Sequence, residues 1–492
     1  MSLLTYKWIS VQRSGVMEKI SLQQLLCEDK DWELCFPRDD MEFACLQLLV
    51  AILQVLFTPK DKKEWIKRIK HPLTPAEYEK ICAGKEKWFD LDHPDTPFMQ
   101  FRNIKANKLT SVDTIMAGVV KGTNKSFVNP LGLVKGLCSG CVAIALYNTA
   151  YNCPSAGGGF KSGMRGSTPI SVLIRGETLR ETLWLNVLTQ ESLQEMMLWY
   201  EETSNQPPGY VQPIKAKEEK YASSIGLATG LFWQPAHIEL CEPVSSGICS
   251  CCGEKSRLFT HFRQEKFVYT IKDVWPHPLS SRTFTTTKGK KEEKFPSFTT
   301  TQPGWVHLPK LIVDRQEEKD GYTPVPVITQ FKSFGAKRLD IIIGGYRNNQ
   351  ATILERRHEF FTLAEGWYDK TNIVEELIKK ALDYKKALRK ALYMFKEGIK
   401  DRFSGTGINL MDEYDHLFYQ QTEISIHDAL AEIHFDHPEE TQDKLYDQLC
   451  EKVKSLFNQA VASYQQEPKM LKALAWSKRT LNKSLKELKP TT

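Results

Sequence analysis

The order of apolar and polar positions changes character along the chain. It opens with a short strand-like stretch, residues 4–11, followed by helix-like stretches at 21–27 and 40–57. Residues 43–57, FACLQLLVAILQVLF, are almost uninterruptedly apolar. The run is shorter than the roughly twenty residues a membrane span needs. It also carries Gln47 and Gln54 and follows Asp39 and Asp40, which suit a helix N-cap and first turn. A buried core helix is therefore predicted. Pro75 stands where a helix through Cys82 would begin, and Phe98, Met99 and Phe101 form an apolar knot. Residues 171–175 and 184–188 alternate or run apolar like short strands. Residues 204–222, with Pro207 and Pro208, are polar and predict a surface loop. From 267 to 343, the segments FVYTI, TFTTT, FTTT and VPVITQF are separated by Pro, Gly and charge, a β-rich pattern. The lysine-rich tip at 288–294 fits a solvated hairpin turn.

At about residue 365 the period becomes helical. Val374, Leu377, Ile378, Ala381, Leu382, Leu388, Leu392 and Phe395 mark a helix over 372–400, with Asn372 as its cap. Further helical stretches cover 410–421, continued over 424–433, and 439–464, and Pro468 opens a fourth. Short connections favour antiparallel neighbours, so a four-helix bundle is the economical arrangement. The expected class is α+β: a large mixed domain over 1–364 and a four-helix bundle over 365–492. The basic runs from Lys379 and from Lys478 are most simply solvated faces; contact with nucleic acid is the functional alternative.

Composition narrows the function classes. A chain of 492 residues exceeds one ordinary core, and 41% apolar with 26% charged residues is usual for a soluble protein. A net charge of +6 is too small to argue nucleic-acid binding from the whole molecule, so local patches would have to supply it. The twelve cysteines are scattered and no secretory signal opens the chain. A reducing, cytoplasmic setting without membrane attachment is expected, where paired cysteines point to metal.

Three devices lie within residues 121–166: a Gly/Pro-punctuated polar loop containing Phe127, the pair Cys138-x-x-Cys141, and the triple glycine Gly157, Gly158 and Gly159, followed by Lys161 and Arg165. Each suits holding a polyanion near the backbone, and none pairs a nucleophile with a base. Cys249-x-x-Cys252 is a second knuckle, far along the chain. Two such pairs can complete a tetrahedral thiolate site with no open position, structural rather than catalytic; unrelated turn cysteines are the alternative. Cys251 lies between ligands as a spectator. The triple glycine lacks the Lys a nucleotide P-loop requires, since Met164 follows Gly163. Residues 339–354 read as strand, polar tip and strand, with Asn349, Gln350 and Ala351 at the apex. Amide side chains there can address base edges or wedge between bases; an ordinary hairpin turn is the alternative. His237, inside an apolar stretch, suits a hydrogen-bonded core histidine better than a ligand.

In order along the chain stand PRDDMEF at Pro37, PFMQ at Pro97, SFVNP at Ser126, LCSGC at Leu137, GGGFKSGMRG at Gly157, GLFWQPAHIELC at Gly230, CSCCG at Cys249, EKF at Glu265 and GGYRNNQATILERRH at Gly344. Together they resemble the CasA family, the large subunit of the type I-E CRISPR Cascade surveillance complex, over essentially the whole chain. The resemblance implies a non-enzymatic, RNA-guided role. Such a subunit finds a short motif, the PAM, in double-stranded target DNA and reads it from the minor groove. It helps open the duplex for the guide RNA and recruits a separate helicase-nuclease. Its partners would be the other Cascade subunits and the CRISPR guide RNA; the two matched knuckles themselves predict the cofactor, a structural zinc on Cys138, Cys141, Cys249 and Cys252. Carried onto this chain, the lysine finger falls on Lys266 and the glycine loop on Gly157, Gly158 and Gly159. The wedge falls on Gln350, flanked by Asn349 and Ala351, and the loop approaching PAM and guide on Phe127, Val128 and Asn129. The chain departs from the family pattern at Pro130 and Ser155, where the family can carry Gln and Gly. The competing readings are a metal-dependent nuclease of the same pathway and a zinc-knuckle scaffold. The acidic cluster Asp39, Asp40 and Glu42 looks like a helix start, and no HExxH or P-loop supports an enzyme.

Overall fold

The computed structural model describes residues 1–118, 133–298, 300–335, 337–399 and 403–488. Phe127, Val128, Asn129 and Pro130 lie outside the described residues. Helices and short sheets are intermixed. The chain divides into two compact units: Met1–Thr299 with Asp314–Gly335 and Ile341–Phe360, and Thr300–Val313 with Ala336–Asp340 and Phe361–Thr492.

The core of the first unit is built on the helix Asp39–Leu56, buried on nearly every face from Met41 to Gln54. Full burial explains why its apolar run shows no polar stripe. Gln54 is accommodated by exchanging hydrogen bonds with the backbone of Leu188. Among the described residues no helix is long and apolar enough to cross a membrane. The helix packs against Ser139–Tyr151. Helix Pro75–Cys82 begins on its proline, with Thr74 and Glu77 closing a reciprocal cap.

Two three-stranded sheets carry the tips on which Gln350 and Lys266 stand. One orders Thr352–Leu363, Leu339–Asn349 and Ser171–Ile174; Gly344 pairs with Ser171, and Gln350 and Ala351 form the turn. The other orders Thr110–Ser111, His261–Lys266 and Ala236–Leu240, with Lys266 opposite Ala236. The strands Arg282–Thr287 and Lys290–Lys294 pair through a two-residue turn, Lys288 and Gly289, both at positive φ, the geometry that matches strand twist.

Several expected strands are corrected. Trp184 and Leu185 end the helix Leu179–Leu185, capped by Thr178, since a short apolar run fits a buried helix as well as a strand. VPVITQF is largely helical, Pro326–Ser333, because Pro326 occupies the first turn and Val327, Ile328 and Gln330 face inward. Of FTTT, Phe298 stands in an isolated bridge to Arg347 and not in a longer strand, and Thr299 lies outside the described residues.

In the second unit the helices Thr371–Glu397, Met411–Glu432, Glu439–Val461 and Leu471–Leu488 follow one another. The first packs against each of the other three, and the second against the third. Lys370, not Asn372, is the first cap, without a side-chain bond, and the two stretches expected over 410–433 form one continuous helix, Met411–Glu432.

Candidate metal centre and nucleic-acid interface

The two cysteine pairs meet in space. Cys138 is the N-cap of Ser139–Tyr151, which brings Cys141 onto its first turn. Cys249 and Cys252 sit in the turn joining strands Val244–Ile248 and Lys255–Leu258. Backbone bonds clamp the knuckles together: Leu137 pairs with Phe259, and Ser250 N–H donates to Gly136 O at 2.9 Å. A side chain on Gly140 would stand 3.0 Å from Trp8 Cβ, so the C-S-G-C spacing needs glycine there.

The four Sγ atoms all lie within 4.8 Å of one another, and none is in a disulfide. A tetrahedral ion with sulfur ligands at about 2.3 Å requires sulfur–sulfur edges of about 3.8 Å; Cys138 and Cys252 stand 3.6 Å apart. The donor set therefore fits a closed four-thiolate metal site. Hydrogen bonds from Cys138 and then Cys141 hold the Cys252 thiol down at about 7 and push Cys249 well below its ordinary value. Lys19 lies 3.5 Å from Cys138 Sγ and pairs with Glu254. Burial opposes its charge, but attraction to Cys138 and the bond to Glu254 outweigh that and raise its pKa. A cation beside four sulfurs offsets the excess negative charge of four thiolates on a divalent ion. Cys251 is buried beside the four but is not one of them.

A second assembly lies on the surface of the same unit. Gly157, Gly158 and Gly159 all have positive φ, +75°, +56° and +90°, a run of backbone open to glycine and strained for other residues. Gly158 and Gly159 are exposed. A side-chain carbon on Gly159 would stand 3.3 Å from Lys266 Nζ, and one on Gly157 would stand 3.4 Å from Ala351 Cβ. The glycine loop, Lys266 and the hairpin turn therefore converge, although far apart in sequence. Lys266 is exposed, lies 5.9 Å over the Phe160 ring, and pairs with no carboxylate among the described residues. Asn349, Gln350 and Ala351 are exposed, and Gln350 takes φ +52°. Beside them a cavity of about 540 Å³ is lined by Lys108, Ser155, Phe160, Gln264 and Ala351, among others.

Beneath this surface runs a buried polar network. Arg165, 5% exposed, donates to Ser171 Oγ, Ser280 Oγ, Tyr151 O and Asn152 Oδ1. Asn152 donates to Gln47 and Asn148, Asn148 donates to the Tyr346 hydroxyl, and Tyr346 donates to Asp40 at 3.1 Å. Arg38 chelates Asp40 with two bonds. The expectation that Arg165 serves a polyanion is thus corrected: the buried hydroxyl and carbonyl partners already use its donors. Asp39 and Asp40 open their helix as expected, but Arg38 is the N-cap. His237 is not part of the four-cysteine group, and no hydrogen bond to its ring is formed among the described residues. Its ring is sandwiched between Phe101 and Phe267 at 3.9 and 4.4 Å, and its Nε2 has no partner among the described residues.

Two residues of this surface escaped the sequence reading. Phe160 lies under the lysine, and Asn348 bonds to Ser167, Thr168 and Gln350. The only signal for either was its place inside GGGFKSG and GGYRNNQ.

The sequence matches the family of CRISPR-associated protein Cse1 over residues 2–460. Thermobifida fusca Cse1 superposes with a TM-score of 0.76 at 17% identity, covering 99% of this chain and 98% of that one. Thermus thermophilus CasA gives 0.74 at 16% identity, with 99% of both chains covered. A chain of a structure described as a CRISPR RNA-guided surveillance complex gives 0.64 at 15% identity, covering 98% and 99%. Identities this low establish likeness of fold. With the sequence match over most of its length, the chain belongs to the Cse1 family of CRISPR-associated proteins.

Proposed function

We propose that this chain is the PAM-recognising large subunit of an RNA-guided DNA surveillance complex, assembled with other Cascade subunits and a guide RNA. The observation that carries the reading is the convergence of Gly157–Gly159, Lys266 and the turn at Ala351 on one exposed face. Lys266 supplies a point charge with three donors for base acceptors on the groove floor. The glycines let a strand approach the backbone. Gln350, with Asn349 and Ala351 beside it, acts as the wedge that unstacks the first base step, and Phe127, Val128 and Asn129 approach PAM and guide. The minor groove distinguishes mainly A·T from G·C, so this reader should tolerate several related motifs and leave further specificity to base pairing. The subunit has no catalytic role; a separate helicase-nuclease, recruited after opening, cuts the DNA.

The ion on the four cysteines is zinc in this reading, since a closed four-sulfur tetrahedron suits it. The helices over 365–492 act as one bundle facing other subunits or displaced DNA, apart from the domain over 1–364. A fragment beginning at Trp367 should be soluble and helical by circular dichroism; a disordered spectrum rejects that boundary.

The function is tested with the assembled complex and a library of target duplexes randomised beside the guide-complementary stretch. Bound DNA should be enriched in a short motif, and Lys266→Ala should erase the enrichment. Binding without enrichment rejects motif reading, and DNA binding that is unchanged when this chain is left out of the complex favours a zinc-knuckle scaffold with no DNA contact. Metal-dependent cleavage by the chain alone favours the nuclease alternative.

A further inference from the structure

The Gln350 turn is held by a side chain outside the groups assigned to DNA. Asn348 lies two residues before Gln350, at the end of strand Leu339–Asn349. Its Nδ2 donates to Gln350 O at 2.6 Å and to Ser167 Oγ at 3.1 Å. Its Oδ1 accepts from Thr168 Oγ1 at 2.7 Å. The orientation is chemically fixed, because Gln350 O can only accept and must face the amide nitrogen. Thr168 is fully buried, so its hydroxyl needs this acceptor. It also takes φ +49°, an uncommon region for a β-branched residue.

Two strained backbone positions, Thr168 and Gln350, are therefore joined through one carboxamide. Left-handed backbone at a non-glycine residue is strained and persists only when its surroundings hold it. Thr168 belongs to the segment that begins with the triple glycine, and Arg165, three residues earlier, anchors that segment in the core. The carboxamide thus sets where the hairpin turn stands relative to the glycine loop.

We propose that Asn348 is the positioning residue for the Gln350 wedge, acting through the Gln350 carbonyl and the Ser167 and Thr168 hydroxyls without touching DNA. The proposal rests on the wedge assignment above. Its consequence is specific: Asn348 matters for opening a duplex and not for holding an open one.

The test uses the assembled complex at one salt concentration, with an intact PAM duplex and one mismatched beside the PAM. Asn348→Ala should weaken binding to the intact duplex about tenfold, the scale of one or two lost hydrogen bonds, and should bind the mismatched target within about twofold of wild type. Asn348→Ala combined with Gln350→Ala should bind the intact duplex no more weakly than Gln350→Ala alone, since a residue acting through another shows no independent effect. Thr168→Val, which removes the donor with little change in shape, should reproduce part of the defect, and Thr168→Ser should not. Additive losses in the double variant, or equal losses by Asn348→Ala on both targets, overturn the proposal while leaving the wedge standing. If Gln350→Ala itself binds both targets like wild type, the wedge assignment has failed and the proposal falls with it. Should Asn348→Ala fail to assemble, the Thr168 pair decides: equal behaviour of Val and Ser overturns it.

Discussion

The cysteine centre and the glycine–lysine–hairpin surface occupy the same unit and are built in opposite ways. In the first, four thiols converge among buried residues, each knuckle is clamped by backbone bonds, and Lys19 offsets charge. In the second, the converging groups are exposed, and the backbone sits at positive φ at Gly157, Gly158, Gly159 and Gln350. A centre turned inward spends its interactions on stability. A surface that presents the Lys266 and Gln350 side chains to solvent leaves their donors open, at some cost in strain, as the proposed DNA reading requires. Mutations in the two regions should therefore separate stability from binding.

The largest effect is expected at the cysteines. Cys138→Ser should lose the metal and destabilise the first unit by at least about 3 kcal/mol, because metal-binding energy is folding energy. Elemental analysis and thermal unfolding check it. Wild-type protein carrying no stoichiometric metal, or a serine variant melting like wild type, would break the contrast at its stable end.

Gly158→Ala comes next. Open space surrounds the position, but φ +56° is strained for alanine, so stability should fall by about 1 kcal/mol. DNA affinity should fall further than that in proportion, by about tenfold, if a strand lies against this backbone. A stability loss with unchanged DNA binding would place the glycines outside the reader.

The smallest stability change belongs to Lys266→Ala. The side chain is exposed and makes no ion pair among the described residues, so unfolding should shift by less than about 0.5 kcal/mol while motif preference is lost. A large drop in melting temperature would mean that Lys266 supports the fold.

How far each region was legible follows from the same contrast. The C-x-x-C pairs announce themselves because both ligands of a knuckle are local, and only their meeting had to be inferred. Helix Pro75–Cys82 was legible through Pro75 alone, and the reciprocal Thr74–Glu77 cap beside it, though written in adjacent residues, emerged only from the structure. Trp184 and Pro326–Ser333 were misread as strands because short apolar runs carry no decisive period; tertiary burial and a proline in the first turn chose helix. Arg165 suggests a polyanion contact in the sequence because its burial depends on Ser280, Ser171 and Asn152, which meet it only in the folded chain. Asn348 was missed for the same reason, since the bonds from residues 167 and 168 to 348 leave no trace in local spacing.

Under the proposed function, Lys266 grips the motif and Gln350 is the wedge that opens the duplex, two roles that should be separable. The most direct measurement of that separation is the affinity of the assembled complex, at one fixed salt concentration, for an intact PAM duplex and for one mismatched beside the PAM. Unstacking a step costs a few kcal/mol, and a mismatch removes much of that cost in advance. Gln350→Ala should therefore bind the intact duplex poorly and recover most of its affinity on the mismatched one. Lys266→Ala should remain weak on both and blur the preference between PAM and non-PAM DNA. Equal rescue of both variants by the mismatch, or rescue of neither, would contradict the separate roles.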